Sequence, residues 1–294
     1  MRWLCNSYLK NSFKISFIMA IDKDLILKLR NVSQAGFADC KKALEENNND
    51  LDASIKWLRS KGIAKANNKN ALKDAKEGGT WAKKDDNGVV ILELNSETDF
   101  TANNSEFSKL AEGIANVILE SKTTDRETIL QLEMENGETV NNNCLHLSSI
   151  TGEKIVLTRV RYFALSDNES AACYRHNNGK ISTVIVFDKK LPDSEIAGLA
   201  VHYAANNPRF ITESEVDSSW INDEKEIILE ALKKENKPEQ FHAKIVEERI
   251  KKLIAQSTFV EQNYLYDQTK TVRDVLASLG TSIRKAVYYG LGGA

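Results

Sequence analysis

The chain has 294 residues, of which 41% are hydrophobic and 28% are charged, and its formal net charge is −2. This composition is typical of a globular protein and excludes a strongly basic nucleic-acid-binding protein. No run of about 18 apolar residues occurs, so no transmembrane helix is predicted, and the length favours roughly two or three domains.

The first 18 residues differ from the rest because they carry basic residues but no acidic residue, and Met19-Ala20 then reads as a second start. We interpret residues 1–19 as an extension that results from a wrongly chosen start. An organelle-targeting segment is the alternative, and the polar residues that interrupt the apolar run argue against a secretory signal. Mass spectrometry of the native N-terminus would decide between these interpretations.

Residues 20–63 are predicted to form three short helices. Asp50 is predicted to cap the third helix and Gly62 to end it. Residues 64–80 are rich in lysine, asparagine and alanine and contain Gly78-Gly79, so they are predicted to be a flexible linker. The apolar residues that recur at helical spacing are Leu25, Ile26 and Leu29, then Phe37, Cys40, Ala43 and Leu44, and finally Leu51, Ile55 and Leu58.

An internal repeat follows, with a spacing of about 90 residues that is too long for a solenoid. In each copy an Asn-Gly pair precedes a strand-like run, which ends at Leu94 in the first copy and at Phe187 in the second. A helical pattern then begins, at Ser105 and at Ser194 respectively. We predict two related α+β lobes, with a further strand at Glu153–Val160 in the first. The lobes comprise residues 81–163 and residues 164–213 with 257–269.

Residues 214–256 are predicted to form an antiparallel helical hairpin with a narrow apolar seam, because apolar residues recur at heptad-like spacing on both sides of Pro238. The hairpin either docks on a partner or packs on its own protein. Phe259–Tyr266 resembles another strand, and Thr271–Asp274 has the pattern of a capping box. Residues 270–294 are predicted to be a short C-terminal module.

Signatures of common enzymes are missing from the chain. It contains no glycine-rich dinucleotide or phosphate loop, no Gly-x-Ser-x-Gly and no His-Glu-x-x-His. The four histidines are far apart and the four cysteines include no Cys-x-x-Cys pair, which argues against a zinc site and for a reducing compartment. No catalytic residue, cofactor or metal is predicted. His202 lies in an apolar helical pattern, which by chemistry alone predicts a core or boundary residue.

The stretch from Glu93 to Asn103 is the most informative in the chain, because it joins a predicted strand to a predicted helix and places acids beside Phe100. Loops in that position commonly carry functional side chains. Three interpretations are open from the residues alone. Asp99 caps a helix and Phe100 is buried under the loop; Glu97 and Asp99 form a catalytic or metal-binding carboxylate pair; or Asp99 and Phe100 push into a partner protein.

Three motifs resemble one known family. Residues 29–44 read Leu-Arg-Asn-Val-Ser-Gln-Ala-Gly-Phe-Ala-Asp-Cys-Lys-Lys-Ala-Leu, residues 93–103 contain Thr-Asp-Phe, and residues 202–210 read His-Tyr-Ala-Ala-Asn-Asn-Pro-Arg-Phe. In this order they resemble the signatures of translation elongation factor Ts, over roughly residues 20–290. The chain departs from the family pattern at Ser33, usually Thr, at Thr101, usually Val, and at Ser182, often Gly.

The resemblance implies an α+β fold with a UBA-like three-helix domain, a two-lobed core of small antiparallel sheets packed by helices, an inserted coiled-coil hairpin and a short C-terminal module. It implies a guanine-nucleotide exchange factor, not an enzyme, acting in the bacterial cytoplasm unless residues 1–18 are a transit segment. The protein would bind GDP-bound and nucleotide-free elongation factor Tu, with no nucleic acid or membrane, and the hairpin would support a homodimer, a 2:2 complex or a further contact.

The family's partner-binding positions carry over residue by residue. Asp99 and Phe100 would enter the region of the partner's magnesium and phosphates, release GDP and so allow GTP to bind again. The remaining residues implied to contact elongation factor Tu are Lys41, Arg30, Ile181, His202, Leu265 and Tyr266.

Two rival classes of protein make different predictions. A ubiquitin-binding-like adaptor would bind its partner through residues 20–65 alone, without the Asp99 loop. An unrecognised enzyme that uses Glu97 and Asp99 would contain a bound metal, and full exchange activity of a metal-free preparation would exclude it.

Overall fold

The computed structural model describes residues 23–33, 35–70, 74–235 and 238–293, with the backbone alone for residues 63–70. The interpretation of residues 1–19 lies outside the described residues. The chain divides into two compact units, Met1–Ala64 and Lys65–Ala294. Within the described ranges, no helix is both long enough and apolar enough to cross a membrane.

The N-terminal unit contains three helices, as predicted: α1 (Lys23–Ser33), α2 (Phe37–Glu46) and α3 (Leu51–Asn70). Asp50 caps α3 as predicted, since its Oδ1 accepts a hydrogen bond from the N–H of Ala53 at 2.9 Å. The helices pack through one face of each, because apolar residues three or four positions apart share a face. The buried core residues of this unit are Ile26, Leu29, Cys40, Ala43, Leu44 and Leu58.

The prediction of a helix end at Gly62 is wrong, because α3 continues to Asn70. A single glycine inside a helix costs only about 1 kcal/mol relative to alanine, and the alanines and lysines that follow favour the helix. The predicted linker is wrong at its other end too, because strand β1 begins at Glu77. Gly78 is needed there for close approach: its φ is +137°, and a Cβ would lie 2.2 Å from the Leu94 carbonyl oxygen.

The first lobe is an antiparallel sheet of order β1-β2-β3 covered by helices. The predicted strand after Asn87-Gly88 and the helix that begins at Ser105 are both confirmed. The strand predicted from Glu153 is also confirmed, although it begins three residues later, at Val156. The elements are β1 (Glu77–Lys84), β2 (Gly88–Ser96), α4 (Asp99–Ala102), α5 (Ser105–Ser121), α6 (Arg126–Gln131), α7 (Val140–Thr151) and β3 (Val156–Ala164).

The second lobe repeats the arrangement with an antiparallel sheet of order β4-β5-β8. The hairpin α9–α10 is inserted after α8, and the strand and helix predicted in the second copy of the repeat are confirmed as β5 and α8. The elements are β4 (Ser170–Arg175), β5 (Ile181–Phe187), α8 (Asp193–Asn206), α9 (Ser218–Lys234), α10 (His242–Ser257), β6 (Asn263–Tyr264), β7 (Asp267–Thr271), α11 (Val272–Leu279) and β8 (Ile283–Gly290).

The end of the chain differs from the sequence prediction in two respects. Residues 270–294 are not a separate module, because β8 pairs with β5 and completes the second sheet. Phe259–Tyr266 is not one strand: Phe259–Glu261 is a 3-10 turn whose apolar residues enter the core, and within this segment only Asn263–Tyr264 forms a strand. The predicted capping box is confirmed, since Thr271 and Asp274 exchange hydrogen bonds at the start of α11.

The two sheets pack face to face, and alternate residues of the central strands explain how. In β2, Val90 and Leu92 face the helices of the first lobe, whereas Val89 and Ile91 join a cluster with residues of β4, β5 and β8. Both faces of β2 are therefore buried, which explains its uninterrupted apolar run.

The predicted hairpin consists of two helices that pack through a narrow apolar seam. Leu232 of α9 is buried with Val246 and Ile250 of α10. Arg249 and Glu235 add an exposed ion pair with an N···O distance of 3.2 Å, which stabilises the hairpin only slightly.

Candidate partner-binding site

Phe100 is exposed to an unusual degree on the one-turn helix α4. Its exposed fraction is 86%, the highest among the exposed large apolar residues of the described chain. The alternative that Phe100 is buried under its loop is therefore wrong. Asp99 is exposed beside it. An exposed aromatic held on a folded element is typical of a protein-binding surface.

Helix α4 displays this pair because its other side is anchored. Thr101 is buried and Ala102 packs against the core of the first lobe. Successive helical residues are rotated by about 100°, so Asp99 and Phe100 point away from the core.

Thr98 is the residue that caps α4. The interpretation in which Asp99 is the cap is therefore wrong. The Thr98 hydroxyl accepts a hydrogen bond from the N–H of Thr101 at 3.4 Å. Asp99 is the first helical residue, where a negative charge interacts favourably with the helix dipole. Its carboxylate is thus left available on the surface.

The loop before α4 is tied to the segment that joins α7 to β3. The Glu153 carboxylate accepts hydrogen bonds from Thr98, at 2.7 Å from the hydroxyl and 3.0 Å from the backbone N–H. The Glu97 carboxylate accepts one from the N–H of Lys154 at 2.5 Å. Glu97 therefore has a structural partner, and among the described residues no group of three or more His, Cys, Asp or Glu could hold a metal ion.

His202 is buried, with an exposed fraction of 1%, which confirms the core interpretation that its chemistry alone supported. Its Nδ1 accepts a hydrogen bond from the N–H of Leu265 at 3.0 Å, so the proton is on Nε2, which faces the Gln262 side-chain oxygen at 3.0 Å. Burial lowers the pKa of His202 below its usual 6.5, and the Gln262 hydrogen bond opposes that shift in part.

Leu265 and Tyr266 form an exposed apolar pair held by His202. Their exposed fractions are 41% and 64%. The Tyr266 ring lies 5.7 Å from that of Tyr264, and both rings pass close to Gly198 of α8. A Cβ at Gly198 would be 2.2 Å from the Tyr264 hydroxyl oxygen. His202 thus positions this surface from below and presents almost no surface itself.

Ile181 lies partly buried at the start of β5, at the same end of the paired sheets as the Asp99 loop. The neighbouring Lys180 pairs with Glu77 at an N···O distance of 3.2 Å, and Glu77 is the register partner of Ser96, which precedes the loop. Ile181 and the loop therefore belong to one region of the surface.

Arg30 and Lys41 belong to the N-terminal unit, separate from the unit that carries the other candidate residues. Both are exposed. Lys41 lies 3.9 Å from the carboxylate of Glu45, one helical turn away, and an exposed pair of this kind leaves the ammonium group free to bind elsewhere.

Sequence reasoning missed three residues that support these surfaces: Glu153, Gln262 and Gly198. Gly198 carried a signal, since a glycine inside a helical pattern often marks a close contact. Glu153 and Gln262 carried none, because their partners lie 55 and 60 residues away in the chain.

Comparisons with known proteins agree with the three motifs. The family model described as "Elongation factor TS" matches residues 97–293. A protein named "Elongation factor Ts" from Mycoplasmoides gallisepticum is 40% identical over 93% of this chain and 94% of its own length. Proteins of the same name from Malacoplasma penetrans and Leuconostoc mesenteroides are each 37% identical, over 86% and 93% of this chain and 86% and 94% of their own lengths.

Proposed function

Because this chain belongs to the elongation factor Ts family, we propose that it binds elongation factor Tu in the cytoplasm and accelerates the release of GDP. The single observation that carries the mechanism is the 86% exposure of Phe100 on an anchored helix. Insertion of Asp99 and Phe100 near the partner's magnesium and phosphate site would favour the nucleotide-free state, and GTP would then bind.

We call the Asp99–Phe100 pair the wedge. Free-energy linkage sets how strongly it must favour the nucleotide-free partner over the GDP-bound one. A factor that weakens GDP binding by about three decades must bind the nucleotide-free partner roughly 4 kcal/mol more tightly than the GDP-bound one. The coupling is reciprocal, so GDP or GTP expels the factor to the same extent. Complete burial of one phenylalanine contributes about 2–3 kcal/mol. Phe100 can supply much of the difference, but other contacts must supply the rest.

The Asp99 carboxylate is suited to compete with the phosphates of GDP. The partner holds GDP through magnesium and the backbone amides of its phosphate loop, so the site that binds the nucleotide is built for negative charge. A carboxylate that enters this region competes with the phosphates for the same positive groups. Its exposed position at the start of α4 allows that approach without disturbance of the first lobe.

The other surfaces would bring the partner into register. We place Leu265 and Tyr266 against the partner, with His202 as their support, and Ile181 beside the Asp99 loop. Arg30 and Lys41 would guide the N-terminal unit to the GTPase domain. We further propose that this unit is UBA-like and that α9–α10 is a short coiled coil available for dimerisation.

Replacement of Phe100 by alanine tests this function. We expect Phe100→Ala to reduce stimulated GDP release from elongation factor Tu by about tenfold or more, or roughly 1.4 kcal/mol, with the fold intact because the side chain is exposed. Stopped-flow measurement with a fluorescent GDP follows the release. Ile150→Ala, at another exposed apolar residue (42%) of the same lobe that belongs to none of the proposed surfaces, is the control and should behave as wild type. Equal stimulation by Phe100→Ala and wild type would refute the wedge.

A further inference from the structure

The carboxylate of Glu153 contacts Thr98, the residue that caps the helix bearing Phe100. It receives two hydrogen bonds from this one residue, 2.7 Å from the Thr98 hydroxyl to Oε1 and 3.0 Å from the Thr98 N–H to Oε2. The carboxylate thus binds both the backbone and the side chain of Thr98. An ionised acceptor makes both bonds stronger than neutral ones.

A further hydrogen bond joins the same two segments in the opposite direction. Glu97 accepts a hydrogen bond from the N–H of Lys154 at 2.5 Å, next to Glu153. On one side the Ser96 hydroxyl donates to the Thr98 carbonyl oxygen at 2.9 Å, and on the other the Ser148 hydroxyl donates to the Glu153 carbonyl oxygen. Hydrogen bonds therefore join residues 96–98 to residues 153–154, although the two segments are far apart in the chain.

A count of the protons shows why Glu153 matters for α4. The Thr98 hydroxyl has one proton, which it donates to Glu153, and this fixes the direction of the lone pair that accepts from the Thr101 N–H. A glutamine at position 153 could accept only through its single carbonyl oxygen, and its amide group would face a second donor. The cap would lose one of its two supports.

Helix α4 depends on such support because it is only one turn long. A single helical turn has no independent stability in water. Thr101 and Ala102 hold one of its sides against the core, and the Thr98 cap holds its start. A side chain presented in its bound conformation loses less entropy on binding, so rigidity here increases the work that Phe100 can do.

We infer that Glu153 is a positioning residue for nucleotide exchange: through Thr98 it fixes α4 so that Asp99 and Phe100 enter the partner preformed. This inference rests on the exchange function proposed above. Glu153 acts through Thr98 and needs no contact with the nucleotide.

The test compares Glu153→Gln with wild type, with Phe100→Ala and with the double variant, in full-length protein. Stopped-flow GDP release from elongation factor Tu is measured with each at saturating concentration. We expect Glu153→Gln to lower the release rate about fivefold, within the range of couplings measured between contacting residues. Glu120→Gln removes an exposed charge near the end of α5 in the same lobe and serves as the control.

The double variant separates positioning from a general structural role. If Glu153 acts through α4, then Glu153→Gln should cause a clearly smaller loss once Phe100 is alanine, because only Asp99 is then left to be positioned. A loss of the same factor in both backgrounds would overturn the inference. Thr98→Val, which removes the hydroxyl but not the shape, should reproduce the defect, and Thr98→Ser should retain activity. Thr98→Val carries the test if Glu153→Gln fails to fold.

The outcomes distinguish this inference from the function on which it rests. A defect in Phe100→Ala with wild-type rates in Glu153→Gln and Thr98→Val would overturn the positioning role and leave the wedge in place. Wild-type rates in Phe100→Ala would overturn both.

Discussion

At the scale of single residues, the site combines side chains that are displayed with side chains that support them. Phe100 and Tyr266 are displayed, whereas His202 and Glu153 hold the backbone of the segments that carry them. Resemblance alone does not separate these roles, because a motif residue can act on the partner or on its own neighbour. Burial separates them: His202 is 1% exposed and works through Leu265.

The lowered pKa of His202 predicts a pH effect on stability. Burial disfavours the imidazolium form, so the unfolded chain takes up this proton first as the pH falls below 6.5. The contribution of His202 to the free energy of unfolding is therefore complete above pH 6.5 and decreases as the pH falls toward the lower pKa of the folded state. Protonation of Nδ1 would also remove the acceptor for the Leu265 N–H.

Denaturation at pH 7.5 and pH 5.5 would measure the effect, with His202→Gln as the variant that lacks the titrating group. Acidic residues also titrate, so the difference between the two proteins isolates His202. We expect wild type to lose more stability than His202→Gln over this interval. Equal losses, or a His202 pKa above 6.5 by NMR, would contradict the interpretation.

At the scale of elements, α8 supports the Leu265–Tyr266 surface through a glycine. Gly198→Ala would place a Cβ 2.2 Å from the Tyr264 hydroxyl oxygen and 3.2 Å from the Tyr266 ring. The rings can move, and alanine favours a helix by about 1 kcal/mol over glycine, so we expect little change in thermal stability. The displaced Tyr266 should weaken binding to elongation factor Tu by about threefold to tenfold, or roughly 1 kcal/mol.

Titration calorimetry with nucleotide-free elongation factor Tu would measure that loss. The control is Ala197→Gly, which changes an exposed residue of α8 without the clash. Ala200 in the same helix would not serve, because it is buried. Unchanged affinity for Gly198→Ala would remove Tyr266 from the proposed interface.

The elements with strong local signals could be predicted from the sequence. The apolar runs of β2 and β5, the helical faces of α1 and α2 and the capping box of α11 depend on neighbours in the chain. Strand β1 was missed because its Gly78-Gly79 signals a linker, whereas the fold needs Gly78 for the close approach of β2. The end of α3 was misplaced because a single glycine costs a helix little stability, and the residues after Gly62 favour its continuation.

The site was predictable to a similar degree. The position of Phe100 between a strand and a helix suggested display, but its exposure depends on which side of α4 faces the core. The support from Glu153 could not be predicted, because it arises from a contact across 55 residues. Local pattern thus identifies the displayed residue, and only the tertiary structure identifies what holds it.

At the scale of the whole second unit, a buried ion pair within the first sheet is hydrogen-bonded to the end of the second sheet. Arg159 of β3 donates to the Glu93 carboxylate at 2.5 Å and to the Gly290 carbonyl oxygen of β8 at 2.7 Å, while Glu93 accepts from the N–H of Gly292 at 3.0 Å. The guanidinium also lies 4.3 Å from the Tyr289 ring centroid. This network ties the end of the chain to β2, the strand that leads to the Asp99 loop.

Removal of Arg159 should therefore weaken the whole unit. Arg159→Met would leave the Glu93 charge buried without its partner, and such a loss costs about 3 kcal/mol. Hydrogen exchange of the β2 amides in the native protein would report it. The variant with both Arg159→Met and Glu93→Gln should recover part of the stability, because no charge remains buried. Equal protection in wild type and Arg159→Met would contradict this account.

As a whole, the molecule is proposed to use Phe100 to release GDP after it has docked on its partner. The most direct measurement is the rate of GDP release from elongation factor Tu at increasing concentrations of wild type and of Phe100→Ala, up to saturation. We predict a saturating rate that is about tenfold or more lower for Phe100→Ala, because every partner molecule is then bound and only the wedge differs. Equal saturating rates would show that Phe100 contributes at most to docking, and would contradict the account.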